Sequence, residues 1–346
     1  MSHHIDRENM FNAIWKFPEN IEDALMIGAN INLQNKYIDI QNIIIAGMGG
    51  SAIGGDVVST LEKNCIKIPI KVVRGYSCPN WVNQNTLVIC SSYSGNTEET
   101  LSILADALER KAQICGITAG GELSDRLKNL EKDFILIPAG LQPRAALAYS
   151  FIPIIKILQK CGVILPSLDQ WIKSSISQLK EVRELYSIDQ KNNPVFQLAL
   201  KIKNRIPVIY ADSSSMGIAG LRLKGQLAEN SKILSWNNEL PELNHNEIVG
   251  WENNADLLQR MFVIWLIDKS DHKRVQCRQK ISKMILDEIY IDQISILVSG
   301  NSFQSRFLHM IHYGDWLSYW CAILYRTNPS PVHKIARLKH ELKIYK

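Results

Sequence analysis

An α/β fold, with parallel strands covered by helices on both faces and the whole arrangement present twice, is what this sequence predicts. Three observations predict it. Short β-rich apolar runs alternate with segments of helical period along the chain, the pattern of strands joined by covering helices. A glycine- or serine-rich stretch follows a strand in each half, GMGGSAIGGD at 47–56 and SSSMGIAG at 213–220. The 346 residues exceed what one core usually serves.

In the first half, strands are expected at IIIAG (43–47), KVVRG (71–75), TLVICSS (86–92), AQICGIT (112–118) and FILIPA (134–139). Helices fall between them. In NTEETLSILADALERK, Thr97, Glu98 and Glu99 suit a first turn, and Leu101, Leu104, Ala105 and Leu108 make an apolar stripe. A helix at 144–160 and the stretch SLDQWIKSSISQLKEVRELY bridge to the second half. There, strands are expected at PVIYADS (207–213), KILSW (232–236), MFVIWLID (261–268) and ISILVSG (294–300).

Composition narrows the function classes. A 46% apolar, 21% charged chain has material for real cores and is not of the disordered type. The formal charge is +5 with its basic residues scattered, so no footprint for nucleic acid is visible. No run of 18 apolar residues and no N-terminal signal-like segment occurs, which argues against membrane insertion and secretion. Seven cysteines lie without any C-x-x-C spacing, several within apolar runs such as LVIC, and read as free thiols of a reducing cytoplasm. His3 and His4 carry no argument.

A strand that runs into glycines and then a helix offers unpaired backbone N–H groups at the positive end of the helix dipole, so GMGGSAIGGD is a candidate anion site. It lacks the GK[ST] of a nucleoside-triphosphate loop. For a dinucleotide fold the third glycine is misplaced, and the second strand ends in Arg74 instead of an acid. The second loop, SSYSGNTEET at 91–100, again opens a helix, but its donors are the hydroxyls of Ser92, Ser94 and Thr97. A serine-rich loop by itself also serves as an ordinary helix cap. Paired with the first loop, it suits a phosphate monoester held by Gly49, Gly50, Ser51, Ser92, Ser94 and Thr97.

At these residues the sequence resembles a known family. GMGGSAIGGD, SSYSGNTEE and PRAAL (143–147) resemble the signature of the sugar isomerase (SIS) superfamily, and specifically of the bifunctional phosphoglucose/phosphomannose isomerases. GQLAENSK (225–232), ELPELNHNEIVGW (239–251) and PVHKIARLKHEL (331–342) extend the resemblance over essentially the whole chain. It implies two SIS domains, a homodimer, and aldose–ketose isomerisation of hexose 6-phosphates without metal or other cofactor. The organisation then expected is an N-terminal helical segment (1–35), a first SIS domain (36–160), a helical connector (161–200), a second SIS domain (201–328) and a C-terminal helix (329–346).

Moving hydrogen between C1 and C2 of a hexose 6-phosphate needs a base, an acid/base for ring opening and a donor near the enediolate oxygen. The resemblance implies Glu229 as the base, and His245, reaching in from a partner subunit, as the ring-opening group. It implies that Arg144 holds the enediolate and that Lys339 assists ring opening. Lys334 stands nearby as an alternative in the same terminal helix. The spacing of His309 and His312, with Asp315, could mimic a metal site, but two histidines without a third ligand favour a packed helix face. Trp316, Tyr319, Trp320 and Tyr325 read as core or dimer packing, and Trp236 and Trp251 flank the histidine loop.

Two other functions suit the same fold. A non-catalytic sugar-phosphate sensor would commonly carry a DNA-binding helix-turn-helix, and the first 35 residues are too short for one. An amidotransferase-type aminosugar isomerase would need a glutaminase domain, for which the chain has neither nucleophile nor length.

Overall fold

The computed structural model describes residues 4–345. In chain order, α1 (Met10–Trp15) and α2 (Phe17–Ala29) precede β1 (Asn42–Ala46), α3 (Gly49–Leu61), β2 (Ile70–Val73), β3 (Thr86–Ser92) and α4 (Glu98–Glu109). Then come β4 (Gln113–Thr118), α5 (Gly121–Asn129), β5 (Asp133–Leu136), a 3-10 turn at Pro143–Ala145 and α6 (Ala148–Lys160). Helices α7 (Leu168–Tyr186) and α8 (Pro194–Ile202) lead to β6 (Ile206–Asp212), α9 (Gly217–Gln226), a π-helical turn at Leu227–Ser231 and β7 (Trp236–Leu240). Two 3-10 turns, Glu242–His245 and Glu247–Trp251, are followed by α10 (Ala255–Leu258), β8 (Met261–Ile267), α11 (Lys273–Glu288), β9 (Gln293–Leu297), α12 (Phe303–Leu324) and α13 (His333–Leu342).

These elements form two compact units. One comprises Lys16–Lys180 with Gly300–Arg306; the other comprises the N-terminal stretch through Trp15, Glu181–Ser299 and the chain from Phe307 onward. The first holds a five-stranded sheet in the order β2-β1-β3-β4-β5, every pairing parallel. Its central strands are apolar without alternation because both faces are covered. Ile43, Ile44 and Ile45 are wholly buried, and so are Leu87 to Cys90. The second holds a four-stranded parallel sheet in the order β7-β6-β8-β9.

In each sheet the strand order reverses beside the first strand of the unit, between β1 and β3 and between β6 and β8. Parallel sheets of this kind bind ligands outside the carboxyl ends of the strands at that switch point. Both glycine- and serine-rich stretches of the sequence lie there.

Two local expectations fail. The run KILSW does not form a strand; β7 begins at Trp236 and continues through the polar WNNEL. Lys232 adopts left-handed backbone that ends the π turn, and Leu234 is 84% exposed, so the β-forming residues of that run lie in a loop. β7 is an edge strand, where polar residues are tolerated because one side lacks a neighbour. In α4 the buried side chains are Thr100, Leu101, Ile103, Leu104 and Ala107, whereas Ala105 faces solvent. The covered face is rotated by one position from the one expected.

The cysteines are free, with Cys78, Cys90, Cys115 and Cys321 buried and Cys277 exposed. Trp316, Tyr319 and Trp320 are core residues of α12, and Phe11 packs edge-on against the first two. No helix among the described residues is long and apolar enough to cross a membrane.

Candidate active site

The carboxyl edge of the first sheet brings three loops together. Gly49, at φ +50, starts α3 with no side-chain cap from Met48, and α4 likewise starts without one from Thr97. Both helix ends therefore leave first-turn N–H groups to be satisfied from outside. A Cβ on Gly50 would stand 2.5 Å from the carbonyl oxygen of Pro143. Only glycine lets the PRAAL loop approach so closely, which sets buried Arg144, 3% exposed, beside the start of α3. The backbone N–H of Tyr93 donates to Ser51 Oγ at 3.2 Å, and the N–H of Leu141 donates to Tyr93 Oη at 2.9 Å. A small cleft runs past Gly50, Ser51, Ser91, Tyr93, Pro143 and Tyr149.

The hydroxyls are oriented by what they already accept. A serine or threonine hydroxyl has one proton to give and two lone pairs. Ser51 accepts from Tyr93 N–H and Ser94 accepts from Asn96 N–H at 3.2 Å, so each keeps its proton for another acceptor. Ser92 and Thr97 pair with each other at 2.8 Å, which leaves one further proton between them. Such a set donates. The structure thus gathers Gly49, Gly50, Ser51, Ser92, Ser94, Thr97 and Arg144 at one edge, with Arg144 in a 3-10 turn ahead of α6 and not in the helix expected there. Glu98 is exposed on the first turn of α4.

Glu229, His245 and Lys339 belong to the other unit, each on a different element. Glu229 lies half-buried in the π turn that continues α9, a local widening of the helix that often marks functional positions. The turn is pinned on both sides of it. Arg222 forms two 2.9 Å hydrogen bonds with Asp315 of α12, and Gln226 adds one of 2.6 Å. Asn230 Nδ2 donates to Ser318 Oγ at 2.9 Å, and Ser231 Oγ donates to the Ser318 carbonyl at 2.6 Å.

His245 ends the 3-10 turn after β7 and is exposed, while its neighbours are anchored. Asn244 donates to Ser282, and Asn246 accepts from Glu247 N–H and donates to Glu242. Glu247 receives hydrogen bonds from the Tyr210 hydroxyl, the Trp236 indole at 2.8 Å and Asn238. Trp251 in turn donates to the Tyr210 hydroxyl at 3.1 Å. Burial, and then the Glu247 carboxylate, push the Tyr210 hydroxyl pKa well up, so it stays a donor. Lys339 and Lys334 are both exposed on α13, on different sides of the helix.

His309 and His312 are packed into the unit. Tyr186 Oη and His309 Nε2 are 2.7 Å apart and His309 Nδ1 meets the Ser299 carbonyl at 2.9 Å, while Trp316 donates to His312 Nε2 at 3.0 Å. Burial first, then the neighbouring His309 and Arg183, push His312 down to about 3, leaving it neutral. Asp315 is taken by Arg222. No group of three or more potential metal ligands occurs among the described residues.

Tyr93, Lys232 and Glu247 were not singled out by sequence reasoning, although all three stand inside the motifs quoted above. Their contribution is a hydrogen-bond partner, which a motif does not display. The roomy surface cleft of the second-sheet unit, lined by Asp268, Lys269, Gln279, Lys283 and Met284, includes none of the candidate residues.

The fold and the alcohol-lined switch point together define a sugar-phosphate isomerase-type SIS protein. Residues 191–342 match the family model described as bacterial phospho-glucose isomerase C-terminal SIS domain. The C-terminal domain of glucosamine-fructose-6-phosphate aminotransferase from Francisella tularensis superposes with a TM-score of 0.70 at 18% identity, covering 93% of this chain and 98% of that one. The bifunctional phosphoglucose/phosphomannose isomerase of Caldicellulosiruptor bescii is 42% identical over 96% of this chain and 98% of its own length. That of Aquifex aeolicus is 38% identical over 88% and 91%. The chain belongs to the bifunctional phosphoglucose/phosphomannose isomerase family.

Proposed function

We propose that this protein interconverts glucose 6-phosphate, and also mannose 6-phosphate, with fructose 6-phosphate through an enediolate. The observation that carries the proposal is the first switch point, where the Ser51 and Ser94 hydroxyls each accept one backbone N–H and keep a proton for an anion. A phosphate ester is the anion that uses several neutral donors at two uncapped helix starts. Gly49, Gly50, Ser51, Ser92, Ser94 and Thr97 hold it.

Once the phosphate fixes the sugar, the chemistry is proton transfer. Glu229 takes the C2 proton of the open-chain aldose and returns it to C1, and the two electrons of the broken C–H bond pass into the enediolate, so nothing is oxidised or reduced overall. Arg144 stabilises the enediolate oxygen by its charge. His245 opens the ring with Lys339 assisting, Lys334 being the alternative. An imidazole exposed on an anchored loop suits delivery to a second copy, so the protein acts as a homodimer. Seven free cysteines suit a reducing cytoplasm.

Replacing Glu229 by Gln tests the assignment. Turnover falls by roughly 1,000-fold, because general-base catalysis is removed, while fructose 6-phosphate binding measured by calorimetry holds. Retained turnover would remove Glu229 as the base. Assays of the unaltered protein with each epimer decide the substrate range.

A further inference from the structure

Lys232 closes the π turn that carries Glu229. From its left-handed backbone position the side chain folds back over the turn. Nζ donates to the carbonyl oxygens of Glu229 at 2.7 Å and Asn230 at 3.2 Å. It also donates to the carbonyls of Asn328 at 2.9 Å and Pro329 at 3.0 Å. Two segments nearly a hundred residues apart in sequence therefore meet on one ammonium group.

An ammonium brings three protons and no acceptor, and here four carbonyls converge on it. Carbonyls at the end of a helical turn lack intrahelical partners and carry the negative end of its dipole, so a cation is the natural group to satisfy them. Converging carbonyls are also what monovalent cations bind. Lys232 as a residue is exposed, but its ammonium is held by these four carbonyls.

The position of these four carbonyls gives the contact a consequence for the reaction. Its first carbonyl belongs to Glu229 itself, and its second to Asn230, whose side chain is fixed on Ser318. Its third and fourth belong to the segment that ends in buried Ser330 and leads into α13. We infer that Lys232 is a positioning residue: its ammonium ties the Glu229 turn to the Asn328–Pro329 segment and so sets the direction of the catalytic carboxylate. The inference rests on Glu229 being the base.

Three Lys232 variants test this, after turnover of the unaltered protein has been measured. Lys232→Met leaves the carbonyls without their cation and lowers kcat by roughly 100-fold, the cost of about 1 Å of misplacement in a proton transfer. KM for fructose 6-phosphate changes by less than about two-fold, because the phosphate-holding hydroxyls are untouched. Lys232→Gln keeps two N–H donors without charge, and its kcat falls between the two. Lys232→Ala leaves the four carbonyls without their cation but open, so added ammonium ion, with four protons for four oxygens, restores part of kcat, whereas tetramethylammonium at the same concentration does not.

Inactivity of the unaltered protein on both aldoses would sink the isomerase reading itself, a result separate from any Lys232 measurement. With an active parent, an unchanged kcat in Lys232→Met overturns the inference. So does a loss confined to KM, or a kcat loss without ammonium rescue. Failure of all three variants to fold would make Lys232 a residue of the fold and overturn the positioning role too.

Discussion

The two switch points occupy equivalent places in the two sheets, and they are filled with opposite chemistry. At the first, β1 and β3 end in Gly49–Ser51 and Ser92–Thr97, neutral donors around uncapped helix starts. At the second, β6 and β8 are followed by carboxylates. Asp212 is bound by Ser214, Asp268 by Ser270, and Asp271 by Ser215 and Gln279. Glu239 on β7 lies so near α9 that a Cβ on Gly217 would come within 2.4 Å of its carboxylate oxygen. Burial, and then the charge of Asp212, raise the pKa of Glu239, and burial raises that of Asp271.

The difference teaches how one architecture divides its labour. A serine that accepts one backbone N–H still has its proton to give an anion, whereas a serine donating to an aspartate has spent it. The second switch point is closed to phosphate by its own carboxylates. Its unit presents the carboxylate of Glu229 and the imidazole of His245 instead, the first on a turn held to buried Ser318 by Asn230 and Ser231, the second on a turn held to buried Ser282 by Asn244.

Making the first switch point like the second should have the largest effect. Ser51→Asp would weaken fructose 6-phosphate binding by roughly 100-fold, since apposed like charges cost about 3 kcal/mol. Calorimetric titration of the folded variant checks it, and unchanged affinity would place the phosphate elsewhere. The converse change is smaller. Ser215→Ala removes one hydrogen bond to Asp271 and should lower stability by about 1.5 kcal/mol in denaturant unfolding, leaving sugar-phosphate binding as it was. A loss of binding instead would show that both switch points serve the ligand.

The smallest effect is one of pH. A carboxyl whose pKa is raised on folding holds its proton more tightly when folded, so protonation favours the folded state. Its contribution is most favourable below the ordinary carboxylate range and is lost as pH rises through the raised value. Glu239 and Asp271 therefore work against stability at neutral pH and less so on mild acidification. Glu239→Gln should melt at a higher temperature than the parent at pH 8, with the gap shrinking toward pH 4. A gap independent of pH would mean that Glu239 titrates normally.

Much of the fold was legible because its signals are local. Continuous apolar runs such as Ile43–Ile45 and Leu87–Cys90 read as strands buried on both faces, and they are. β7 was misplaced because KILS has strand-like side chains while WNNEL does not; what makes WNNEL a strand is its pairing with β6, from Val208–Trp236 through Asp212–Leu240. The glycines of the first loop were legible as demanding a close approach. That the approaching group is Pro143 was not, since the two are more than ninety residues apart.

By itself the sequence determined the α/β class, the paired units and the residue types that suit a phosphate and a proton transfer, because periodicity, glycine and hydroxyl content are written residue by residue. Only the tertiary structure decided which hydroxyls keep a proton to give, that the second switch point's serines are bound to its own carboxylates, and that Glu229 sits on a π turn bound by Lys232 and α12. Those properties belong to hydrogen bonds between distant segments, and a proton or lone pair is free or engaged only once its partner has been brought to it by folding.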